Sequence, residues 1–414
     1  MPGREFFRTR TVAEALAALP TGRVTASELV GLDDALGRVP VEPVHAPRQL
    51  PGFARSTVDG YAVQAADTYG ASDGLPAYLD VSGAVAMGSA PGVTVVAGRA
   101  VAMPTGGALP PGADAVVMVE HTQQVMPGTV EVTRPVAPGG GVVRADEDVA
   151  VGQQVLPAGR PLRAPDLGML AAVGVTALSV HSRPVVGIVS TGDELVPPET
   201  AELAPGQVRD AIASALAGLV RQVGGAPRPY GIVADDAGAL ERMLRDAVEV
   251  CDLVVVSAGS SVGARDETAG AVARLGPPGI VCHGIAIRPG KPTLVAQAGD
   301  VPVLGLPGNP LSAMVVFGLL GVPLVRRVGG CTQVPPEPRT RARLTRQVPS
   351  RAGRLDVVQV RLDEDRGHGG PQAYPVLGAS ALLSVLTSAD GYLVIDEDAT
   401  GLDEGAEVDV TLYR

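Results

Sequence analysis

Four apolar segments, separated by helical patterns, place the strongest constraint on how this chain can fold. They are "PVVGIVS", "PYGIV", "DLVVVSA" and "VPVLGLP", beginning at residues 184, 229, 252 and 301. Such runs are typical of parallel strands buried on both faces, and helical periodicity lies between and after them. This alternation predicts a layered βαβ domain over residues 177–330. Ligands bind such domains beyond the carboxyl ends of the strands.

The rest of the chain has a different texture. Residues 49–145 are short valine-rich runs between Gly and Pro clusters, which indicates an inserted β domain. Helical patterns flank the insertion, so residues 1–48 and 146–176 are expected to form one discontinuous N-terminal domain. Residues 331–414 return to short alternating strands and predict a C-terminal domain resembling a β-barrel. The fold class is therefore α/β plus β, in several domains.

Two capping-box patterns predict helices near the N-terminus. Thr11 is followed three residues later by Glu14, and Thr25 in the same way by Glu28. The second helix is expected to end at Gly37, because Gly commonly follows the last helical residue.

Charge and aromatic content narrow the class of partner. The formal net charge is −11, from 44 acidic and 33 basic residues, which argues against generic binding to nucleic acid or to anionic membranes. Aromatic residues make up 3% of the chain and Trp is absent, so a platform for stacking bases is not expected. An anionic substrate would need positive charge concentrated locally.

Cysteine usage and hydropathy indicate a soluble cytoplasmic protein. Cys251, Cys282 and Cys331 form no C-x-x-C pair, which fits a reducing compartment. The first residues contain no apolar signal region. The longest apolar run, Leu311–Val325, is short for a bilayer and contains Pro323, so a buried helix is expected.

Four polar, glycine-bearing loops are expected to meet at one edge of the predicted sheet. Backbone N–H groups in such loops, with helix N-termini behind them, form cradles for anions, and Arg288 and Lys291 add two cations. The loops are "STGDEL" (190–195), "AGSSVGARD" (258–266), "RPGKP" (288–292) and "LPGNPLS" (306–312).

Two other motifs nearly match within these loops. Gly284 to Lys291 resembles a P-loop, but Ile285 and Pro292 stand where Gly and Ser or Thr are required, and a strand rather than a helix is expected to follow. The segment from Gly259 to Gly263 is a literal G-x-S-x-G around Ser261, in the strand-to-helix context of a nucleophile elbow. A serine hydrolase is therefore an alternative, although its His could come only from His283 or His368.

The loop motifs and two further segments closely resemble those of the molybdopterin molybdenumtransferase family, which comprises MoeA and the E domain of gephyrin. The resemblance extends over essentially the whole chain. It is carried by "STVDGYA" (56–62), "PTGGALPPGADAVVMVE" (104–120), "STGDEL", "SSVGARD" (260–266), "RPGKP" and "GLPGNPLSA" (305–313).

This resemblance implies a transferase of molybdenum cofactor synthesis. In the family, adenylylated molybdopterin binds the α/β domain, molybdate is inserted into the dithiolene, and AMP is released with the help of Mg²⁺. The family forms a homodimer whose active cleft lies between the α/β domain and the partner's β domain. Molybdate and tungstate are tetrahedral dianions of similar size, and both stay open as the natural oxyanion.

The resemblance also implies roles for individual residues. Lys291 is expected to contact molybdate, and the partner subunit would supply Asp59 and carboxylates near Asp148. The expected catalytic residues are Asp59, Asp148, Asp266 and Lys291, with Glu194 and Asp266 as Mg²⁺ ligands. The expected substrate-binding residues are Thr191, Gly192, Asp193, Gly259, Ser260, Ser261, Arg288, Pro307, Gly308, Asn309 and Ser312.

Several positions depart from the family's pattern. Ile212 stands where a polar residue is usual, Gln359 where an Arg is expected, and Asp146 where Gly is usual; Ala258 also replaces a Gly. These changes remove groups that would bind an anion, so a non-catalytic molybdopterin-binding paralogue is the second hypothesis.

Overall fold

The structure is a computed structural model that describes residues 9–258, 262–363 and 370–413, with side chains from residue 267 onwards in the second range. The helices are α1 Val12–Ala17, α2 Ala164–Val173, α3 Ala211–Gln222, α4 Ala237–Val250, α5 Val262–Ala273, α6 Pro310–Val316, α7 Val322–Val328 and α8 Ser384–Thr387. The strands are β1 Ser27–Gly31, β2 Val44–His45, β3 Arg55–Ser56, β4 Gly60–Val63, β5 Ala77–Ala84, β6 Arg99–Met103, β7 Ala115–Met118, β8 Thr122–Met126, β9 Thr129–Val132, β10 Val142–Val143, β11 Gln154–Leu156, β12 Ala177–His181, β13 Val185–Thr191, β14 Leu195–Val196, β15 Val208–Arg209, β16 Ala226–Val233, β17 Leu253–Ala258, β18 Pro278–His283, β19 Ile287–Arg288, β20 Leu294–Ala298, β21 Val301–Pro307, β22 Arg339–Leu344, β23 Val348–Pro349, β24 Leu355–Asp363, β25 Gln372–Pro375, β26 Gly391–Ile395, β27 Gly401–Leu402 and β28 Glu407–Leu412.

The two segments on either side of the inserted domain pair with each other. Strand β1 is antiparallel to β12, and β2 is antiparallel to β11. The first pairing joins β12, which begins at the predicted start of the α/β domain, to the N-terminal segment. Leu170 of α2 and Val180 of β12 share one buried cluster with Val30 of β1.

One of the two predicted N-terminal helices is present. Thr11 caps α1 in a complete capping box, with Glu14 N donating to Thr11 Oγ1 over 3.0 Å and Thr11 N donating to Glu14 Oε2 over 2.9 Å. The helix predicted from Thr25 is wrong. The Thr25 hydroxyl donates instead to the carbonyl of Ser182 over 2.8 Å, because pairing with β12 draws this segment into a strand.

The inserted segment is built around a six-stranded sheet in the order β7-β4-β6-β5-β9-β8. Its central strands are buried on both faces: Val117 and Val130 lie in one buried cluster, and Val101 and Val116 lie in another. Gly60 of β4 approaches the Val117 carbonyl so closely that a Cβ would lie 1.8 Å from its oxygen. Only glycine therefore fits that point of the sheet.

The α/β domain contains a six-stranded mixed sheet in the order β16-β13-β17-β21-β20-β18. The first four strands are parallel, and β20 is antiparallel to both of its neighbours. Buried clusters lie on both faces, one containing Ile188 and Leu216 and the other Val256 and Leu244. The four predicted strands are confirmed to within a few residues, and helices lie between and after them as predicted.

The last helix of this domain runs continuously from Pro310 to Val328 through a π-helical turn at Phe317–Gly321. It is the one helix of the described ranges with the length and apolar composition of a membrane span, and most of it is buried inside the fold. Phe317, Leu320 and Leu324 are fully buried. The prediction of a buried helix is confirmed.

The C-terminal sheet has the order β19-β24-β25-β22-β28-β26, and an additional pairing of β24 with β26 closes it. The predicted barrel-like domain is therefore confirmed. Strand β19 belongs to the α/β segment, yet it pairs in parallel with the start of β24. Val357 of β24 lies in the same buried cluster as Val316 of α6, so the barrel packs directly on the α/β domain.

Candidate anion-binding cleft

Three of the described loops lie at one edge of the α/β sheet, as the sequence predicts. Strands β13, β17 and β21 run in the same direction. Strand β18 also runs in this direction, since β20 is antiparallel to both β18 and β21. The segments after β13, β18 and β21 therefore share one edge. These segments carry "STGDEL", "RPGKP" and "LPGNPLS".

A cleft of about 870 Å³ opens between this edge and the C-terminal barrel. From the sheet side it is lined by residues 285–292 and by the start of α6; from the barrel side it is lined by residues 348–359 and 376–380, with few gaps. The predicted substrate residues that line it are Arg288, Lys291, Pro307, Asn309 and Ser312.

The cleft carries a net positive charge in an acidic chain. Four basic side chains and one carboxylate line it, which gives +3 against a formal −11 for the whole protein. Asp356 is buried, and it accepts hydrogen bonds from Arg354 Nε at 2.8 Å and Arg354 Nη2 at 3.2 Å. Arg288 Nη1 lies 3.5 Å from the same carboxylate. Lys291 and Arg351 have no ion pair among the described residues, so their charges are available to a ligand.

The loop that carries Arg288 and Lys291 is shaped by glycine. Gly290 has a φ of 121°, and a Cβ there would lie 2.4 Å from Val316 Cγ2. Close packing on α6 and the backbone conformation therefore both require glycine. The hydroxyl of Thr293 donates to the Gly290 carbonyl over 2.7 Å, and Ile285 N donates to the Lys291 carbonyl over 2.9 Å. These bonds close the turn and hold Lys291 at its tip.

The second wall of the cleft joins the two domains. Asn309 precedes α6, and its Nδ2 donates to Ser380 Oγ of the barrel over 3.0 Å. Leu311 N donates to the Ser380 carbonyl over 3.1 Å. The "LPGNPLS" loop is therefore fixed to the C-terminal domain, and Ser312 behind it is buried.

The predicted residues at the end of β13 and in the loop after it lie outside this cleft. The Thr191 hydroxyl donates to Asp235 Oδ1 over 2.8 Å, and Asp235 N donates to Asp193 Oδ1 over 3.1 Å. These bonds hold the ends of β13 and β16 together. Gly192 and Glu194 belong to the same loop, and Gly308 after β21 is likewise absent from the cleft lining. The structure thus separates the predicted substrate residues into two groups.

Asp59 and Asp148 lie in other parts of the chain. Asp59 Oδ1 accepts a hydrogen bond from Thr105 N at 2.8 Å, and Asp148 is exposed, with its N–H bonded to the Leu50 carbonyl at 3.0 Å. Neither residue lines the cleft of its own chain. Their assignment to a site shared between two subunits stays a prediction.

Part of the predicted site lies outside the described residues. Gly259, Ser260 and Ser261 are in this group, as are His368 and the side chain of Asp266. The metal site and the serine-hydrolase alternative therefore stay untested. Within the ranges that the structure describes, no group of three or more His, Cys, Asp or Glu side chains is placed to hold a metal ion.

The departures from the family's pattern have distinct structural settings. Ile212 lies in the first turn of α3, where it is buried and packs in the α/β core. Asp146 has a φ of 62°, a left-handed conformation that Asp adopts more readily than most residues other than Gly. Gln359 lines the cleft and is 2% exposed. Of these three, only Gln359 is therefore in a position to touch a ligand bound in the cleft.

The sequence did not reveal the barrel's contribution to the cleft. The sequence points only to Gln359 on this side, yet its neighbours Arg351, Arg354, Asp356 and Ser380 also line the cleft. A weak signal exists in "RAGRLD", where two arginines precede a lone carboxylate. Lys291 carries a further signal, because it is the only lysine among the 33 basic residues of the chain. Every other basic side chain of the protein is an arginine.

Comparison with known proteins agrees with this organisation. Residues 10–174 match the model of the MoeA N-terminal region (domain I and II), residues 187–327 that of a "probable molybdopterin binding domain", and residues 341–413 that of the MoeA C-terminal region (domain IV). Together these matches cover most of the chain.

Similar individual proteins belong to the same family. Molybdopterin molybdenumtransferase 2 of Mycobacterium tuberculosis is 35% identical over 92% of this chain and 94% of its own length. A molybdopterin molybdenumtransferase of Nostoc is 38% identical over 73% of this chain and 70% of its own. The crystal structure of the molybdopterin biosynthesis MoeA protein of Pyrococcus horikoshii has a TM-score of 0.84 at 31% identity, over 98% of this chain and 100% of that one. The chain therefore belongs to the MoeA family, and it is an enzyme of the transferase class.

Proposed function

We propose that this enzyme, whose family acts in molybdenum cofactor biosynthesis, inserts molybdate into adenylylated molybdopterin and releases AMP. The observation that carries the proposal is the net charge of +3 in a cleft of an otherwise acidic protein. Both proposed substrates are anions, and charge-assisted hydrogen bonds to Arg and Lys are the strong contacts available to them. The names of the relatives, which are molybdopterin molybdenumtransferases, support this choice of anions.

The basic residues of the cleft are proposed to make different contacts with the substrates. Lys291 is exposed and has no ion pair within the described part of the chain, so its ammonium is available to an oxygen of molybdate. Arg288 and Arg354 are oriented by Asp356, which leaves part of each guanidinium directed at the ligand. The barrel forms one wall of the cleft. In this arrangement the protein positions two anions and neutralises their charge.

We propose Mg²⁺ as the metal cofactor. Glu194 fits it, because its carboxylate is exposed and has no ion pair within the described ranges, and Mg²⁺ prefers oxygen ligands. Asp266 is the second proposed ligand. Bound Mg²⁺ would neutralise charge on the phosphates of the adenylyl group.

The enzyme is further proposed to be a cytoplasmic homodimer with a shared active site. Asp59 and Asp148 are exposed, yet neither reaches the cleft of its own chain. A second copy could bring them to the edge of the sheet near Thr191 and Glu194. Their carboxylates would then face the substrate from the partner.

The test is turnover with adenylylated molybdopterin, molybdate and Mg²⁺, with AMP measured by chromatography. The proposal predicts AMP release that depends on molybdate and falls when Mg²⁺ is chelated. A non-catalytic paralogue would retain molybdopterin and release no AMP above the rate without protein. Mixing an inactive Lys291→Met chain with an inactive Asp59→Asn chain tests the shared site, because mixed dimers would regain one complete site out of two.

A further inference from the structure

A single amide group in the cleft stands out, since the fold leaves it without a partner. Among the described residues, two buried side-chain atoms lack a hydrogen bond, Ser350 Oγ and Gln359 Nε2. Of the two residues, only Gln359 lines the cleft. A buried donor without an acceptor is costly, and such groups in folded proteins call for an explanation.

The strand places this amide on the side of the α/β domain. Side chains of β24 alternate, and Val358 and Val360 pack in the barrel's own buried cluster. Val357, on the opposite face, packs with the core of the α/β domain. Gln359 follows two residues later on that face and is 2% exposed.

Tyr413 binds the oxygen end of the amide. Its hydroxyl donates a short hydrogen bond to Gln359 Oε1. The main-chain carbonyl of Gln359 is also satisfied, by Val376 N at 2.8 Å. With the oxygen held in this way, the amide presents its NH₂ group as the unpaired end. A free amide could rotate and present its oxygen, which would repel an anion.

We infer that Gln359 Nε2 donates a hydrogen bond to an oxygen of the anion held by Arg288 and Lys291, and that Tyr413 positions it for this contact. The inference rests on the proposed function, in that molybdate is taken as the anion. Gln359 is then a specificity residue: it adds a directional donor without adding charge. Tyr413 is a positioning residue, since it acts through the amide.

The lone lysine gives a direct assay. A succinimidyl ester can modify only Lys291 and the chain's α-amine, and mass spectrometry of proteolytic peptides separates the two. Molybdate titrated against the rate of Lys291 modification reports occupancy of the cleft. Calorimetric titration of the same variants with molybdate provides an independent dissociation constant.

The substitutions at Gln359 test the loss of the hydrogen-bond donor and the effect of a negative charge separately. Gln359→Met, which keeps the length and removes the donor, is expected to weaken molybdate binding about tenfold, and Gln359→Glu at least about thirtyfold because its charge repels the anion. Gln372→Met is the matched control, because Gln372 Nε2 donates to the Gly370 carbonyl and the residue does not line the cleft. It should bind as the wild type does.

Tyr413→Phe tests the positioning role by a double-mutant cycle. It should weaken binding about threefold in the wild-type background and have no effect in the Gln359→Met background, since the amide it orients is gone. A purely structural role would weaken both backgrounds equally. Tyr413 is 42% exposed, so this variant is expected to fold.

The outcomes distinguish the two proposals. Weaker binding by Gln359→Met with an unchanged Gln372→Met control supports the inference. If the wild type binds molybdate and both Gln359 variants bind within twofold of it, the inference is overturned and the proposed function stands. If molybdate neither protects Lys291 nor gives a binding isotherm in the wild type, both are overturned.

Discussion

Two buried aspartates each hold two arginines, one inside the N-terminal domain and one in the cleft. Asp166 on α2 accepts hydrogen bonds from Arg160 and Arg163, and Asp356 on β24 faces Arg354 and Arg288. The two carboxylates are equally buried, with side-chain exposures of 5% and 4%. Burial and pairing alone therefore do not separate a structural site from a binding site.

The surroundings of the two aspartates make the difference. Asp166 also accepts the backbone N–H of Arg163 at 2.7 Å, and Arg160 Nη1 donates to the Pro161 carbonyl at 3.1 Å as well. That group is saturated by the fold itself. Around Asp356, Lys291 and Arg351 add charge that no described residue neutralises, and Gln359 adds an unused donor. Unused hydrogen-bonding capacity, rather than burial, marks the functional cluster.

The largest expected effect is on the structural pair. Asp166→Ala leaves Arg160 partly buried without its partner, so the free energy of unfolding should fall by about 3–5 kcal/mol in urea titrations. Asp409→Ala, which breaks the exposed pair with Arg341, is the control and should change it by less than about 1 kcal/mol. AMP release per folded molecule should stay at the wild-type value. A loss of turnover in fully folded Asp166→Ala would contradict the division between the two clusters.

At Lys291, by contrast, we expect a substitution to reduce turnover and to leave stability nearly unchanged. Lys291→Met should reduce AMP release by about 10²–10³-fold, because an electrostatic contact to the reacting anion is lost. Its free energy of unfolding should change little, since the side chain is exposed and lacks an ion pair within the described ranges. Lys291→Arg retains the charge with a different geometry, so its rate of AMP release should lie between those of the wild type and Lys291→Met. Equal turnover in all three proteins would remove Lys291 from the site.

A smaller effect is expected when the carboxylate of the cleft is neutralised. Asp356→Asn keeps the size of the side chain but releases Arg288 and Arg354 from their shared partner. AMP release should fall about tenfold through lost positioning. The dissociation constant for molybdate should change less than about threefold, because the added net positive charge offsets the looser geometry. A stability loss as large as that of Asp166→Ala would show that Asp356 is mainly structural.

These contrasts also show how far the sequence could lead. The strands of the α/β sheet were predictable, because short apolar runs such as "DLVVVSA" are typical of parallel strands that are buried on both faces. The strand β1 was not, because the local capping signal at Thr25 was overridden by pairing with β12.

The residues of the cleft likewise fall into a group that the sequence predicts and a group that it does not. Arg288 and Lys291 lie in a short glycine-containing turn, whose sequence indicates its own shape. Arg354 and Asp356 join them only through the pairing of β19 with β24, a contact between distant segments. No local pattern encodes such a pairing, so sequence reasoning missed half of the cleft.

The smallest expected effect is an acid dependence confined to the structural pair. The hydrogen bond from Arg160, with further help from Arg163, holds the pKa of Asp166 well below its ordinary value. A lowered pKa stabilises the fold above the unfolded-state pKa of about 4, and this contribution is lost as the pH falls below that value. Wild-type protein should therefore lose about 1 kcal/mol through this group between pH 5 and pH 3. Arg160→Gln should lose less over the same range, because its Asp166 pKa lies closer to the unfolded value. Urea titrations at several pH values measure the difference, and parallel curves for the two proteins would show that the pair does not determine the acid sensitivity of the fold.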